Sequence, residues 1–357
     1  MAFRVVLIDD SKLVREILRE ILEKIEGVQV CGEASNGRDG VNRVILDRPD
    51  LVIMDVEMPV MNGLEALQNM RERGIMEPVI MVSVLTQRGA EISFRTLELG
   101  ALDFVPKPSR DSGFQVSDVE ELLTGVVEGV MQEKSRTPFS REVFRKKNLE
   151  QGESQPREKV PPKSNECSLL IIGASTGGPR ALQEILRELP GDFPIPIALV
   201  QHMPPVFTAA FADRLDRLSH LHISEAVEGP LFPGHVYVAP GDKHLLIEKD
   251  EEERPWIRLS GGPRVNSHRP SIDVTLRSAV SSFGGRAAAL IMTGMGKDGM
   301  DGMIKLHNAG GRTYAQDEAS SVVFGMNRRV IEAGVVDEIL ELDRIALSLT
   351  ERFLRAG

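Results

Sequence analysis

Gly173-Ala174-Ser175-Thr176-Gly177 fits G-x-S-x-G, a spacing that presents a serine at a sharp turn between a strand and a helix, ready to attack an acyl carbon. A serine hydroxyl needs a base to take its proton and a third group to orient that base. Of the seven histidines, His202 is best placed, directly after the apolar run 195–200 and before Pro204-Pro205, where it shares an edge with Ser175. His268, ahead of Arg269-Pro270, is the competitor. Asp298, in the glycine-rich stretch 293–299, can orient the imidazole, with a simple turn aspartate as the alternative. Taken alone, 173–177 also leaves open a phosphate-cradling loop, although its glycines do not follow G-x-G-x-x-G and no Walker lysine follows.

A second constellation is acidic. Asp9 and Asp10 close one apolar run and Asp55 closes another, and three carboxylates at one edge call for a cation. Mg²⁺ suits such a set because it takes hard oxygen ligands and keeps several waters. Beside a metal and an ammonium, Asp55 can act as a nucleophile toward phosphorus. Ser83 and Lys107 follow later strand-like runs and bring a hydroxyl and an ammonium to the same edge. Singly, these residues read as caps or solvated side chains; together they form a phosphoryl acceptor with its metal and phosphate binders.

Positioning such groups requires strands that end together. Residues 3–8, 51–54 and 79–84 are short apolar runs, and 12–25 carries Leu13, Val14, Ile17, Leu18, Ile21 and Leu22 at helical spacing. Residues 64–70 and the segment ending near Gly100 read as further helices. The alternation predicts a parallel sheet with helices on both faces. From about Gln132 to Ser164 the chain turns basic and poor in apolar residues, which reads as a tether. Beyond it, 168–172, 195–200, 287–292 and 312–315 are strand-like, 180–189, 207–218, 272–280 and 302–308 are helical, and 234–248 reads as a hairpin turning at Pro240-Gly241-Asp242. The expected class is α/β, with two doubly wound domains, residues 1–128 and 166–357, joined by a linker at 129–165.

Composition narrows the function. With 357 residues, 41% of them hydrophobic and 27% charged, the chain has enough apolar surface for two cores. A net charge of −10 argues against general nucleic-acid binding, which needs a basic face, and no helix-turn-helix signal is present. Two cysteines without ligand spacing support neither a disulfide framework nor a zinc site. No apolar run approaches the ~20 residues that span a bilayer, so the expectation is a cytoplasmic protein without membrane insertion.

The first constellation resembles the receiver domain of two-component response regulators. The likeness rests on Asp9-Asp10-Ser11, Asp55 within Met54-Asp55-Val56-Glu57-Met58-Pro59, Gly63, Ser83 and Lys107-Pro108. It implies a flavodoxin-like fold in which Asp55 accepts phosphate from a histidine kinase. Asp10, Asp55 and the Glu57 carbonyl, with Asp9 nearby, would hold Mg²⁺, and Ser83 and Phe104 would shift on phosphorylation. Serine replaces the commoner threonine at position 83.

The second half resembles the chemotaxis protein-glutamate methylesterases. The matching stretches are Gly173-Ala174-Ser175-Thr176-Gly177-Gly178-Pro179, Gln201-His202-Met203-Pro204-Pro205, 237–244, His268-Arg269-Pro270-Ser271-Ile272-Asp273 and 293–299. Their order Ser, His, Asp differs from that of the α/β-hydrolases, so the elbow motif does not establish that fold. The resemblance selects His202 as base and Asp298 as its partner, places the Met295 backbone N–H at the oxyanion and Thr176 beside the nucleophile. It implies hydrolysis of γ-methyl esters on chemoreceptor glutamates with no cofactor, release of methanol, and deamidation of receptor glutamines. The substrate partner would be the cytoplasmic helices of methyl-accepting chemoreceptors. The receiver would restrain the hydrolase until Asp55 is phosphorylated.

Overall fold

Apolar runs of four to six residues, too short for helices, become strands buried on both faces, as a parallel sheet covered by helices requires. The computed structural model describes residues 2–84, 86–107, 116–135 and 167–354. The chain divides into two units, Met1–Glu128 with Pro204–Arg214 and Gly129–Met203 with Leu215–Gly357.

In the first unit, β1 (Phe3–Ile8), α1 (Lys12–Glu23), β2 (Val28–Ala34), α2 (Gly37–Asp47), β3 (Leu51–Asp55), α3 (Gly63–Glu72), β4 (Val79–Ser83), α4 (Gln87–Glu98), β5 (Asp103–Pro106) and α5 (Val116–Ser135) alternate. The strands pair in the order β2-β1-β3-β4-β5, all parallel. This is the flavodoxin-like doubly wound order, whose switch point lies between β1 and β3. Every residue of β3, β4 and β5 is buried, whereas edge strand β2 is mostly half-buried. That half-exposure explains why Val28–Ala34, with Gln29 and Glu33 in it, gives no continuous apolar run. Asn62 starts α3 with a capping box to Glu65, which fixes the chain's direction as it leaves the β3 edge. Helix α5 runs to Ser135 because Val126, Val127, Val130 and Met131 continue its apolar spacing, so it takes up residues 129–135 of the segment read above as linker. Residues 136–165 lie outside those described, as does Pro108.

The remaining elements are β6 (Leu169–Ala174), α6 (Gly178–Glu188), β7 (Ile197–Gln201), α7 (Pro205–Leu218), β8 (His222–Glu225), β9 (Gly229–Pro230), β10 (His235–Val238), β11 (His244–Lys249) and β12 (Pro255–Ser260). They are followed by α8 (Ile272–Phe283), β13 (Ala287–Ile291), α9 (Met300–Asn308), β14 (Arg312–Gln316), α10 (Met326–Glu332), β15 (Glu338–Leu340) and α11 (Leu342–Leu354). A seven-stranded sheet has the order β15-β14-β13-β6-β7-β10-β8, again all parallel. From β6 the chain winds one way through β7, β8 and β10, and later the other way through β13, β14 and β15. The crevice of this switch therefore opens between β6 and β13. Leu276, Ala279 and Phe283 of α8 and Met303 and Leu306 of α9 pack in one buried cluster with Leu169, Ile171, Ala289 and Ile291 of those two strands.

The hairpin differs from its expected position. Residues 236–238 are buried and join the parallel sheet as β10, and the antiparallel partner of β11 is β12, not β10. Three consecutive buried residues suit a covered parallel strand better than the half-exposed arm of a hairpin. Pro240-Gly241-Asp242 instead carries the chain from one sheet to the other, with Asp242 at φ 59°.

One backbone feature carries a stability consequence. Val60, in the loop after Asp55, has φ 69° and is exposed, so a β-branched residue sits in the left-handed region without burial to compensate. Val60→Asn, which tolerates that region, is expected to stabilise the first unit by roughly 1 kcal/mol. Urea denaturation followed by circular dichroism checks this, and an unchanged or lower midpoint would show that the φ strain is negligible.

Candidate functional site

The ladder that joins β6 to its neighbours continues past the strand ends and brings three loops together. Ala174 pairs with Gln201, and the His202 backbone N–H donates to the Ala174 carbonyl at 3.2 Å, so Ser175 and His202 leave adjacent strands side by side. On the other flank, Met292 N–H donates to Gly173 O at 2.9 Å and Ser175 N–H to Thr293 O at 3.0 Å. The sheet register alone thus places Ser175 between His202 and the loop that carries Met295 and Asp298.

Ser175 lies between β6 and α6, as the motif requires. It is not among the non-glycine residues at positive φ; the left-handed turn falls on Gly177, at φ 75°, which begins α6. The strain that an α/β-hydrolase elbow places on its serine is here carried by a glycine that adopts it freely. Gln201, buried, donates from Nε2 to the carbonyls of Ser175 (3.0 Å) and His202 (3.1 Å). Gly294 admits the nucleophile loop because it lacks a side chain, since a Cβ there would lie 2.8 Å from the Ser175 Cβ. Thr293 ties the loops together. Its Oγ1 donates to Thr176 O at 2.9 Å and accepts from Val323 N–H at 3.0 Å, while its own N–H donates to Gln316 Oε1 at 2.8 Å. Thr176 is buried, and Met295 is half-buried on the loop after β13.

Asp298 is almost fully buried and occupies the N-terminus of α8. Its Oδ1 accepts from Ser271 Oγ (2.8 Å), Asn266 Nδ2 (2.9 Å) and Asp273 N–H (3.2 Å); its Oδ2 accepts from Ile272 N–H (2.7 Å) and from His202 Nε2 (2.9 Å). Backbone donors and the positive end of a helix are the environment that favours a carboxylate. Burial alone would raise its pKa, but the hydrogen bonds outweigh it, first His202 and then Asn266 and Ser271, and hold Asp298 well below the usual carboxylate range. A carboxylate so stabilised orients the imidazole and does not take its proton.

His202 is bound through Nε2, and its Nδ1 is buried without a partner, so Nδ1 is the nitrogen left for a substrate-side proton. His268, the competitor, lies against His202, its ring stacked on that of His202 with centroids 3.7 Å apart and planes at 15°. Burial, with the neighbouring His202 second, pushes its pKa down to about 3, so it is neutral. His244, noted only as part of a motif, is buried and supports the aspartate from behind, with Nε2 bonded to Pro263 O (2.9 Å) and Nδ1 accepting from the Ser271 N–H (3.2 Å). Asn266, Gln201, Thr293 and Gln316 carried no separate signal in the sequence, because amides and hydroxyls gain a role only from what folds against them.

The acidic constellation also assembles. Asp9, Asp10 and Asp55 offer carboxylate oxygens within 4.8 Å of one another, with Asp10 exposed and the other two buried. Lys107 Nζ lies 2.6 Å from Asp55 Oδ2 and 3.0 Å from Asp9 Oδ2. Burial raises both carboxyl groups, Asp55 to about 6, against the lowering effect of Lys107. One ammonium for three converging carboxylates leaves an excess of negative charge, and this hard-oxygen set fits Mg²⁺. The Glu57 backbone N–H donates to Asp55 Oδ1 at 3.3 Å. Ser83 Oγ donates to Gly89 O at 3.2 Å, and Phe104 is buried against Phe94. Ser83 ends β4 and Phe104 lies within the neighbouring β5, opposite Met81, and both are buried.

Comparison with known proteins agrees with both halves. A response regulator receiver domain model matches residues 5–115, and a CheB methylesterase model matches residues 170–349. The protein-glutamate methylesterase/protein-glutamine glutaminase of Pyrococcus horikoshii is 39% identical over 96% of this chain and 91% of its own length. That of Nitrosomonas europaea is 42% identical over 99% and 97%. The crystal structure of the Thermotoga maritima CheB methylesterase catalytic domain is 43% identical, with a TM-score of 0.51, spanning 52% of this chain and 98% of that one. Among the described residues no helix is long and apolar enough to cross a membrane. Two parallel sheets, one presenting an acidic cluster and one a serine beside a histidine-aspartate pair, accord with these matches, and the chain belongs to the protein-glutamate methylesterase/protein-glutamine glutaminase family, carboxylic ester hydrolases that here carry a response regulator receiver domain.

Proposed function

We propose that this chain is a cytoplasmic, phosphorylation-activated methylesterase that hydrolyses glutamyl γ-methyl esters on the cytoplasmic helices of methyl-accepting chemoreceptors, and deamidates receptor glutamines, through Ser175, His202 and Asp298. The observation that carries this reading is the convergence of the three residues in the loops that follow β6, β7 and β13, with His202 Nε2 bonded to Asp298 at 2.9 Å and Nδ1 buried and unpartnered.

In the proposed cycle Ser175 Oγ attacks the ester carbonyl carbon while His202 Nδ1 takes the hydroxyl proton. The carbonyl π pair moves to oxygen, where the Met295 backbone N–H would receive the oxyanion; one such donor is worth about 3 kcal/mol. Collapse breaks the bond to the methoxy oxygen, which leaves with the imidazolium proton as methanol. Water then attacks the acyl-serine with His202 again as base, and the proton returns to Ser175 Oγ as free glutamate departs. Asp298 remains an anion throughout and stabilises the imidazolium. With glutamine, the same steps release ammonia. Thr176 supports the loop through the carbonyl that Thr293 binds.

In the receiver, Asp55 would take a phosphoryl group from a histidine kinase. Asp9, Asp10, Asp55 and the Glu57 carbonyl are the groups that would hold Mg²⁺, which when bound offsets the repulsion between carboxylate and phosphoryl oxygens. Lys107 would pair with the phosphoryl group, and Ser83 and Phe104 would rearrange to report it.

Ser175→Ala is expected to lower methanol release from methylated receptor by at least about 10³-fold with the fold intact; retained turnover would exclude Ser175 as nucleophile. Asp55→Asn should abolish stimulation by a small-molecule phosphodonor, and full stimulation of that variant would overturn the assigned switch. Mg²⁺ at about 100 times its Kd should stabilise the protein by about 2.7 kcal/mol, and a thermal shift equally large in Asp10→Asn would place the ion elsewhere. Finally, His268 unfolded takes up a proton near pH 6.5, whereas folded it holds out to about 3. Between these values the unfolded state binds more protons, so stability falls as pH falls. From pH 7 to 5 this group should cost the second unit about 2 kcal/mol, a loss absent in His268→Phe. Urea midpoints read by the sole tryptophan, Trp256, test it, and equal losses in both proteins would contradict a neutral His268.

A further inference from the structure

The loop before α8 lies against the histidine-aspartate pair. Val265 N–H donates to His268 O at 3.1 Å and His268 N–H to Val265 O at 3.0 Å. Between them Asn266 and Ser267 have φ of 50° and 67°. This is a two-residue turn with both central residues left-handed, the conformation for which asparagine is suited at the first position. The turn delivers two side chains to one place. Asn266 Nδ2 lies 2.9 Å from Asp298 Oδ1 and 2.8 Å from Asp273 Oδ2, so one amide nitrogen gives a proton to each of two buried carboxylates. Two residues on, the His268 ring covers one face of His202 at 3.7 Å.

We infer that the 265–268 turn is a clamp on the triad, in which the Asn266 amide fixes the Asp298 carboxylate and the His268 ring fixes the plane of His202, making both of them positioning residues for ester hydrolysis. The inference rests on the triad proposed above. A single hydrogen bond from Nε2 to Asp298 leaves the imidazole able to rock about that contact, and Nδ1 would swing relative to Ser175. A flat ring stacked on its face removes that freedom. Because His268 is neutral, it does so without opposing the positive charge that His202 acquires. On the aspartate side, Asp273 is also buried; its Oδ1 is bonded to the Gly302 N–H at 2.7 Å, and Arg277 stands 3.6 Å from its Oδ2. Without a donor between them, Asp273 and Asp298 would repel one another in a medium of low dielectric, where an amide dipole is worth more than in water.

The test uses full-length protein with phosphodonor and methylated receptor, measuring kcat and KM for methanol release. Asn266→Gly keeps the left-handed turn and deletes only the amide. His268→Ala deletes the stacked ring, and His268→Phe keeps a flat ring without nitrogens. The expected result is a fall in kcat of about 10- to 100-fold for Asn266→Gly and His268→Ala, the scale of a small misplacement of reacting groups. KM should change less than about threefold, because the clamp does not touch substrate. His268→Phe should restore kcat to within about threefold of the original protein. Full kcat in Asn266→Gly or His268→Ala would overturn the clamp, as would a folded His268→Phe as slow as His268→Ala, which would assign chemistry to the second imidazole itself. Should His268→Ala fail to fold by Trp256 emission, Asn266→Gly and His268→Phe decide on the same criteria. His202→Ala, run in parallel, separates the two levels: turnover retained there removes the triad reading, whereas turnover lost there with full kcat in the clamp variants removes only the clamp.

Discussion

The second unit depends on one buried anion. Asp298 sits where α8 begins, and five donors converge on its two oxygens, three of them from the first residues of that helix and its cap. A helix N-terminus leaves backbone N–H groups unsatisfied and carries partial positive charge. The carboxylate supplies what the helix lacks, and the helix supplies the environment that a buried carboxylate needs. This mutual requirement docks the Gly-rich loop after β13 against α8 and, through Nε2, aligns His202 just beyond β7.

The two units treat buried carboxylates in opposite ways. Around Asp298, hydrogen bonds outweigh desolvation and the group stays firmly ionised. Around Asp55, desolvation and Asp9 outweigh Lys107, and the pKa rises to about 6. The difference is one of donor count: Asp298 is surrounded by donors, whereas Asp55 shares one ammonium with a second buried carboxylate. A saturated anion is suited to hold an imidazole in place, and an under-compensated one to receive a cation and an electrophile. The same residue type is thereby prepared for two kinds of chemistry.

Both sites lie at the carboxyl ends of parallel strands beside a switch in winding direction, β1 against β3 in one sheet and β6 against β13 in the other. There adjacent loops diverge and leave room for a ligand. Because the ladder bonds continue one residue beyond β6, the position of Ser175 relative to His202 follows from sheet register and needs no contact between their side chains. The flexible groups are then trimmed by local chemistry, with Gly294 giving space and Thr293 and Gln201 tying down carbonyls.

Much of this was present in the residue order. Short apolar runs alternating with helical stripes determined the α/β class, and the G-x-S-x-G spacing together with acidic residues at run ends marked Ser175, Asp9, Asp10 and Asp55, because covered parallel strands and tight turns impose strong local patterns. The position of His202 after an apolar run favoured it over His268, but the choice of His202, and of Asp298 over an ordinary turn aspartate, was completed only by a family resemblance, since a run end shows which edge a side chain reaches and not which ring stands beside the serine. The tertiary structure decided that His268 stacks on His202, that Asn266, Ser271 and His244 support Asp298, and that residues 236–238 lie in the parallel sheet instead of a hairpin. Those outcomes depend on which polar groups and strand edges meet across distant stretches of chain, and a sequence read one segment at a time does not contain that pairing.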